Sequence, residues 1–98
     1  MTTFDERIGI IANNYGFEAQ AEKSIEEMAE LIVEIKHMKK GRASENFQNF
    51  VEELADVKIM IDQLYLFANF DGDVGKEITR KLERQLKRID EEKKRCQK

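Results

Sequence analysis

"FQNFVEELADVKIMIDQLYLFA", Phe47 to Ala68, is the stretch on which the fold turns. Phe47, Phe50, Val51, Leu54, Val57, Ile61, Leu64, Tyr65 and Ala68 recur every three or four residues, the spacing that lines up side chains on one side of an α-helix. No glycine or proline interrupts the run, and Ser44 in the preceding "GRAS" is the expected N-cap. Lys58 breaks the stripe. A snorkelling side chain is the first expectation for it; an ammonium reaching a carboxylate cluster or a bound phosphate is the other.

Working outward, the same period appears on both sides. Upstream, roughly Glu18 to Lys40 aligns Ala21, Ile25, Met28, Ile32 and Ile35, ending in basic residues that suit a helix C-terminus and then Gly41. Before it, a short helix opens at Thr2 or Thr3 as N-cap, carries Asp5 and Glu6 in its first turn, sets Phe4, Ile8, Ile11 and Tyr15 on one stripe, and stops at Gly16. Downstream, "NFDGD" turns the chain, Asp73 is the expected cap, and Val74, Ile78, Leu82, Leu86 and Ile89 repeat among many Lys and Arg residues. The tail from about 90 to 98 is expected to fray. The reading is all-α: one four-helix, bundle-like domain over residues 1–98. Ile59, Met60, Leu66 and Phe67 fall off the main stripe of the third helix, and Leu31 and Val33 off that of the second. This surplus of apolar surface predicts assembly with further copies.

Composition narrows the function. With 17 basic and 20 acidic residues the net charge is −3, and no broad basic surface exists for a nucleic-acid polymer. No apolar run reaches the ~18 residues that a membrane span needs, and the acidic "MTTFDER" start is unlike a signal peptide. Cys96 is the single cysteine, so no internal disulfide can form, and a reducing, cytoplasmic location is expected.

A doubled acidic phrase is the feature that asks for chemistry. "EEMAELIV" (Glu26–Val33) and "EELADVKI" (Glu52–Ile59) place Glu27 with Glu30, and Glu53 with Asp56, at i, i+3 on equivalent flanks of two helices. Antiparallel packing through the two stripes would converge all four carboxylates. A solvated face is the commoner reading of one such pair, but four anions beside a core need basic partners, protons or a hard cation. Glu26 and Glu52 lie farther round and read as surface charges.

Other signals fail on inspection. "DGDVG" at Asp71 has Lys76 and Leu82 where a calcium loop needs glycine and glutamate. "GDVGKE" lacks the spacing and the hydroxyl of a phosphate-binding loop. His37 is the only histidine and suits the end of its helix without forming a site. No residues compose a Ser-His-Asp or Cys-His arrangement for covalent catalysis.

The two phrases together, "EEMAE" followed by "ELAD", resemble the signature of the MazG-like, all-α nucleoside triphosphate pyrophosphohydrolases, and the likeness runs from about Tyr15 to Arg88. The resemblance implies Mg²⁺ (or Mn²⁺) held by Glu27, Glu30, Glu53 and Asp56, with Glu27 or Glu30 also orienting or deprotonating the attacking water. Its downstream Lys-x-x-x-Asn-x-x-Arg phrase is similar to "KLERQLKR" here, which assigns phosphate contacts to Lys81 and Arg88. Gln85 stands where that phrase has asparagine, which puts any base or sugar contact there in doubt. A homodimer or homotetramer acting on a nucleoside triphosphate is the implied assembly. Phosphoribosyl-ATP pyrophosphohydrolases and all-α dUTPases share this acidic-helix logic, and a non-catalytic helical oligomer remains the alternative of a different class.

Overall fold

The computed structural model describes residues 5–41, 43–68 and 72–97, with the side chains of 43–45 outside that description. The Thr2 or Thr3 cap, Phe4, the Ser44 side chain and the turn at 69–71 lie outside the described residues. What is described is helical: α1 (Glu6–Tyr15), α2 (Phe17–Lys39), α3 (Ala43–Ala68) and α4 (Asp73–Cys96). None of these helices is long and apolar enough to cross a membrane.

Helix ends follow local hydrogen bonding, and three differ by one to three residues from the sequence reading. Asp5 is the cap of α1 rather than part of its first turn, because its carboxylate accepts the Arg7 backbone N–H at 3.0 Å. The Arg7 guanidinium closes on the same carboxylate at 2.7 Å and helps hold its pKa down at about 2. α3 already includes Ala43, so Ser44 lies inside the helix and does not precede it. Likewise Gly72 precedes α4, and Asp73 is its first residue. α4 runs through Cys96.

Only Gly16 separates α1 from α2. Its N–H closes the last turn of α1 on the Ala12 carbonyl at 2.8 Å, while its own carbonyl accepts the Gln20 N–H at 3.1 Å and opens α2. One residue serves both helices by adopting φ 84°, ψ 168°, a conformation open to glycine and closed to L side chains. α1 therefore folds back on α2, burying Ile8 and Ala12. Ile11 and Tyr15, expected on the same stripe, are exposed.

The chain divides into two compact units, Met1–Phe67 and Ala68–Lys98. Within the first, α2 and α3 run antiparallel, a relation read from side chains that meet in opposite order. Phe17 meets Phe67 edge to face at 5.2 Å between ring centroids, and Gln20 donates to Gln63 at 2.7 Å. Glu27 then faces Asp56, and Glu30 faces Glu53. From the Gln20–Gln63 pair onward, each step up one helix matches an equal step down the other. The buried face of α2 is Gln20, Ser24 and Glu27; that of α3 is Val57, Met60 and Gln63.

The expected apolar stripes are used only in part: Val57 is buried, and Met28, Phe50, Leu64 and Tyr65 are half-buried. Ile25, Ile32 and Ile35 of α2 and Phe47, Val51, Leu54 and Ile61 of α3 are exposed, whereas Met60, assigned to a surplus face, is buried and Phe67 partly so. Amphipathicity marks a face that gains from cover by anything, and here the seam between the helices goes to polar groups that can pair with each other. In the second unit, Ile78, Leu82, Leu86 and Ile89 lie along one exposed side of α4. Exposed ion pairs Arg80–Glu77 (2.9 Å) and Lys94–Asp90 (3.2 Å) occupy other positions on that helix.

Candidate metal centre

Equal steps along antiparallel helices bring the two acidic phrases together. Oxygens of Glu27, Glu30 and Glu53 lie within 4.8 Å of one another. Asp56 stands beside Glu27 at the edge of this group. All four predicted carboxylates thus share one stretch of the α2–α3 seam. Glu26 and Glu52 are exposed, as their wheel positions predict.

Burial differs along the cluster. Glu27 is the most enclosed at 6% exposure, and its two oxygens have different surroundings. Oε1 takes the ammonium of Lys23, one turn earlier, at 3.2 Å; Oε2 is buried and has no hydrogen-bond partner. Oε2 of Glu53 is in the same condition. Such orphaned acceptors cost free energy unless something with positive charge or a proton meets them.

The titration behaviour follows from this crowding. Desolvation first, then the contact with Glu30 and the charges of Glu30, Glu27 and Asp56, push the Glu53 carboxyl up to about 7. Asp56 is raised by desolvation and by its closeness to Glu27, with Lys23 pulling the other way. Both shifts say that the cluster is short of positive charge near neutral pH. Lys23 supplies one unit, and its own pKa is raised chiefly by the bond to Glu27.

The donor set can be tested against a cation. It is all oxygen and acidic, which suits Mg²⁺ or Mn²⁺ and offers no thiolate or imidazole for softer ions. On one octahedral Mg²⁺ with bonds of about 2.1 Å, a trans pair of oxygens stands about 4.2 Å apart and a cis pair about 3.0 Å, so side-chain shifts of up to about 2 Å would gather these three. A shallow, open cleft of about 210 Å³ adjoins the cluster, lined by Lys23, Glu27, Asp56, Ile59 and Met60. The residues fit a hard divalent cation with room for water or phosphate beside it.

No family model, curated protein or solved structure matches this chain. The candidate site therefore stands on its own geometry.

Other predicted residues fall as follows. Lys58 does not turn toward the cluster: its ammonium is clamped between both oxygens of Asp62, one turn along the same helix, at 2.7 and 2.8 Å. Lys81, Gln85 and Arg88 are exposed on α4, with Lys81 and Arg88 two turns apart on one side of it. His37 lies in the last turn of α2, its Nδ1 3.7 Å from Glu34 Oε2. Sequence reasoning missed Lys23 and the Gln20–Gln63 pair. An i, i+4 Lys-to-Glu spacing was available for the first; isolated glutamines gave no signal for the second.

Proposed function

We propose that the chain is a Mg²⁺-dependent nucleoside triphosphate pyrophosphohydrolase of the MazG-like kind, working as a homo-oligomer. The observation that carries this reading is the buried, unpartnered Oε2 of Glu27 inside a ring of carboxylates contributed by two helices. A solvated acidic face would leave its oxygens in water. Here desolvation and mutual repulsion persist, which is the arrangement of a site prepared for a cation.

In this reading Glu27, Glu30 and Glu53, with Asp56 at the margin, hold Mg²⁺, which supplies positive charge to triphosphate oxygens and acidifies water. Lys23 fixes the Glu27 carboxylate by its Oε1, leaving Oε2 buried without a hydrogen-bond partner. Glu27 or Glu30 orients a water toward the α-phosphorus and takes its proton as the P–O bond forms. The α–β anhydride bond breaks, and the products are a nucleoside monophosphate and pyrophosphate. The family likeness assigns neutralisation of the leaving pyrophosphate's charge to Lys81 and Arg88, of this chain or of a neighbouring copy. The exposed apolar sides of α2 and α3 support assembly, since so few side chains are buried within one copy.

The test is a nucleotide panel, including canonical and deoxynucleoside triphosphates, dUTP and phosphoribosyl-ATP, scored for pyrophosphate release with and without Mg²⁺. Mg²⁺ is expected to raise the melting temperature by mass action, and Glu53→Gln to remove both that rise and turnover. Equal Mg²⁺ affinity in wild type and Glu53→Gln would refute the metal centre. Mg²⁺ binding without release of pyrophosphate from any substrate would instead favour the non-catalytic alternative.

A further inference from the structure

The side of α2 turned away from α3 carries an organised surface. Ile25, Ala29, Ile32 and Val33 lie on the side of the helix opposite Gln20, Ser24 and Glu27, at about 100° per residue, and all are exposed. Ile25 is 65% exposed and Ile32 55%, high values for large aliphatic side chains that form one continuous strip. Charge on the same side is segregated: Glu18 and Glu22 precede the strip, Glu26 borders its N-terminal half, and Lys36 and Lys40 follow it, all exposed.

We infer that this face packs against the same face of a second copy, α2 against α2 in antiparallel fashion, with the two-fold axis passing at Ala29. Under that operation position 18 falls opposite 40, 22 opposite 36, and 25 opposite 33 of the partner copy. The acidic end of each helix meets the basic end of the other, and the apolar strips cover each other between them. Parallel pairing would set glutamate on glutamate and lysine on lysine. Ala29, the smallest side chain on the strip, sits at the crossing point, where two backbones come nearest. A C2 interface has to be self-complementary, and reversal of charge about a small apolar centre is the pattern that makes a helix so. A basic or an acidic partner protein would match only one half of this face. The inference specifies the contact behind the homo-oligomer proposed above and is independent of the hydrolase reading, because it is tested without substrate or metal.

Two charge-reversed chains provide the test. Glu18→Lys/Glu22→Lys makes both ends of the face basic, and Lys36→Glu/Lys40→Glu makes both acidic. By light scattering at micromolar concentration, wild type is expected at an even multiple of the 11.5 kDa chain mass. Each variant alone is expected to fall to half that mass or less, and an equimolar mixture to recover it as a mixed complex. A monomeric wild type, or either variant keeping the wild-type mass alone, overturns the proposal. If the variants lose helical circular dichroism, Ala29→Cys in a Cys96→Ser background decides, since the exposed Cys96 thiol is then removed. Mild oxidation should give a disulfide-linked dimer through position 29. Its absence in a protein of oligomeric mass overturns the α2–α2 contact.

Discussion

Gln63→Met is expected to destabilise the helix pair far more than its conservative shape suggests. Gln63 is 1% exposed, and its Oε1 accepts the Gln20 amide at 2.7 Å, with Gln20 itself buried. Methionine fills nearly the same volume but offers the Gln20 Nε2 no comparable acceptor. The loss is then dominated by one buried donor left unpaired, about 1–3 kcal/mol. For a domain of this size that corresponds to a fall in Tm of roughly 4 to 20 °C. Replacing both residues removes the orphan, so Gln20→Met/Gln63→Met should recover most of the loss, with a coupling of about 1 kcal/mol or more. Calorimetry or urea unfolding of the four proteins, at one fixed protein concentration, measures the cycle. A neutral single variant, or a double variant that costs the sum of the singles, would refute the claim that Gln63 Oε1 is what satisfies the buried Gln20 amide.

A pH scan of metal-free protein tests the crowding of the carboxylates. Glu53 has its folded pKa raised from 4.5 to about 7, so the fold favours the protonated form. The penalty for ionising it is absent below pH 4.5, grows between 4.5 and 7, and is complete above 7. Stability should therefore rise as pH falls through that window, and Glu53→Gln should flatten the rise; an unchanged slope would count against the cluster. Lys81→Ala and Arg88→Ala should leave Mg²⁺ binding intact while lowering triphosphate affinity or turnover about ten- to a hundredfold, the worth of a lost charge-assisted hydrogen bond. Wild-type kinetics in both would remove α4 from the phosphate site.

The helices themselves were legible because unbroken 3.6-residue periodicity and punctuating glycines act locally. The acidic cluster was legible for a related reason: i, i+3 spacing in two phrases survives any antiparallel register that pairs them. The faces were not. Ile25 and Leu54 announce a wish to leave water without naming what will cover them, whereas the residues that join α2 to α3 include Gln20 and Gln63, whose amides meet across the seam. Pairing of that kind is a property of two positions 43 residues apart and has no local signature. Asp5 displaced the expected Thr2 or Thr3 cap by two or three residues and Gly72 displaced Asp73 by one for a simpler reason, since several residues able to cap stand close together at both places.

The joint at Gly16 has a stereochemical consequence. An added L-configured Cβ there would meet no atom within 4 Å, so space does not forbid a side chain; handedness does. Reflected in a mirror, φ 84°, ψ 168° becomes ordinary extended backbone, the region that side-chain-bearing residues favour. A chain of 98 residues is within reach of chemical synthesis and ligation. D-Alanine at position 16 would keep the α1–α2 corner unstrained and restrict the unfolded chain, stabilising the protein by about 0.4–1 kcal/mol, while L-alanine at the same atom count would destabilise it by more. The direction in which the first helix leaves the second is thus set by the absence of chirality at one carbon.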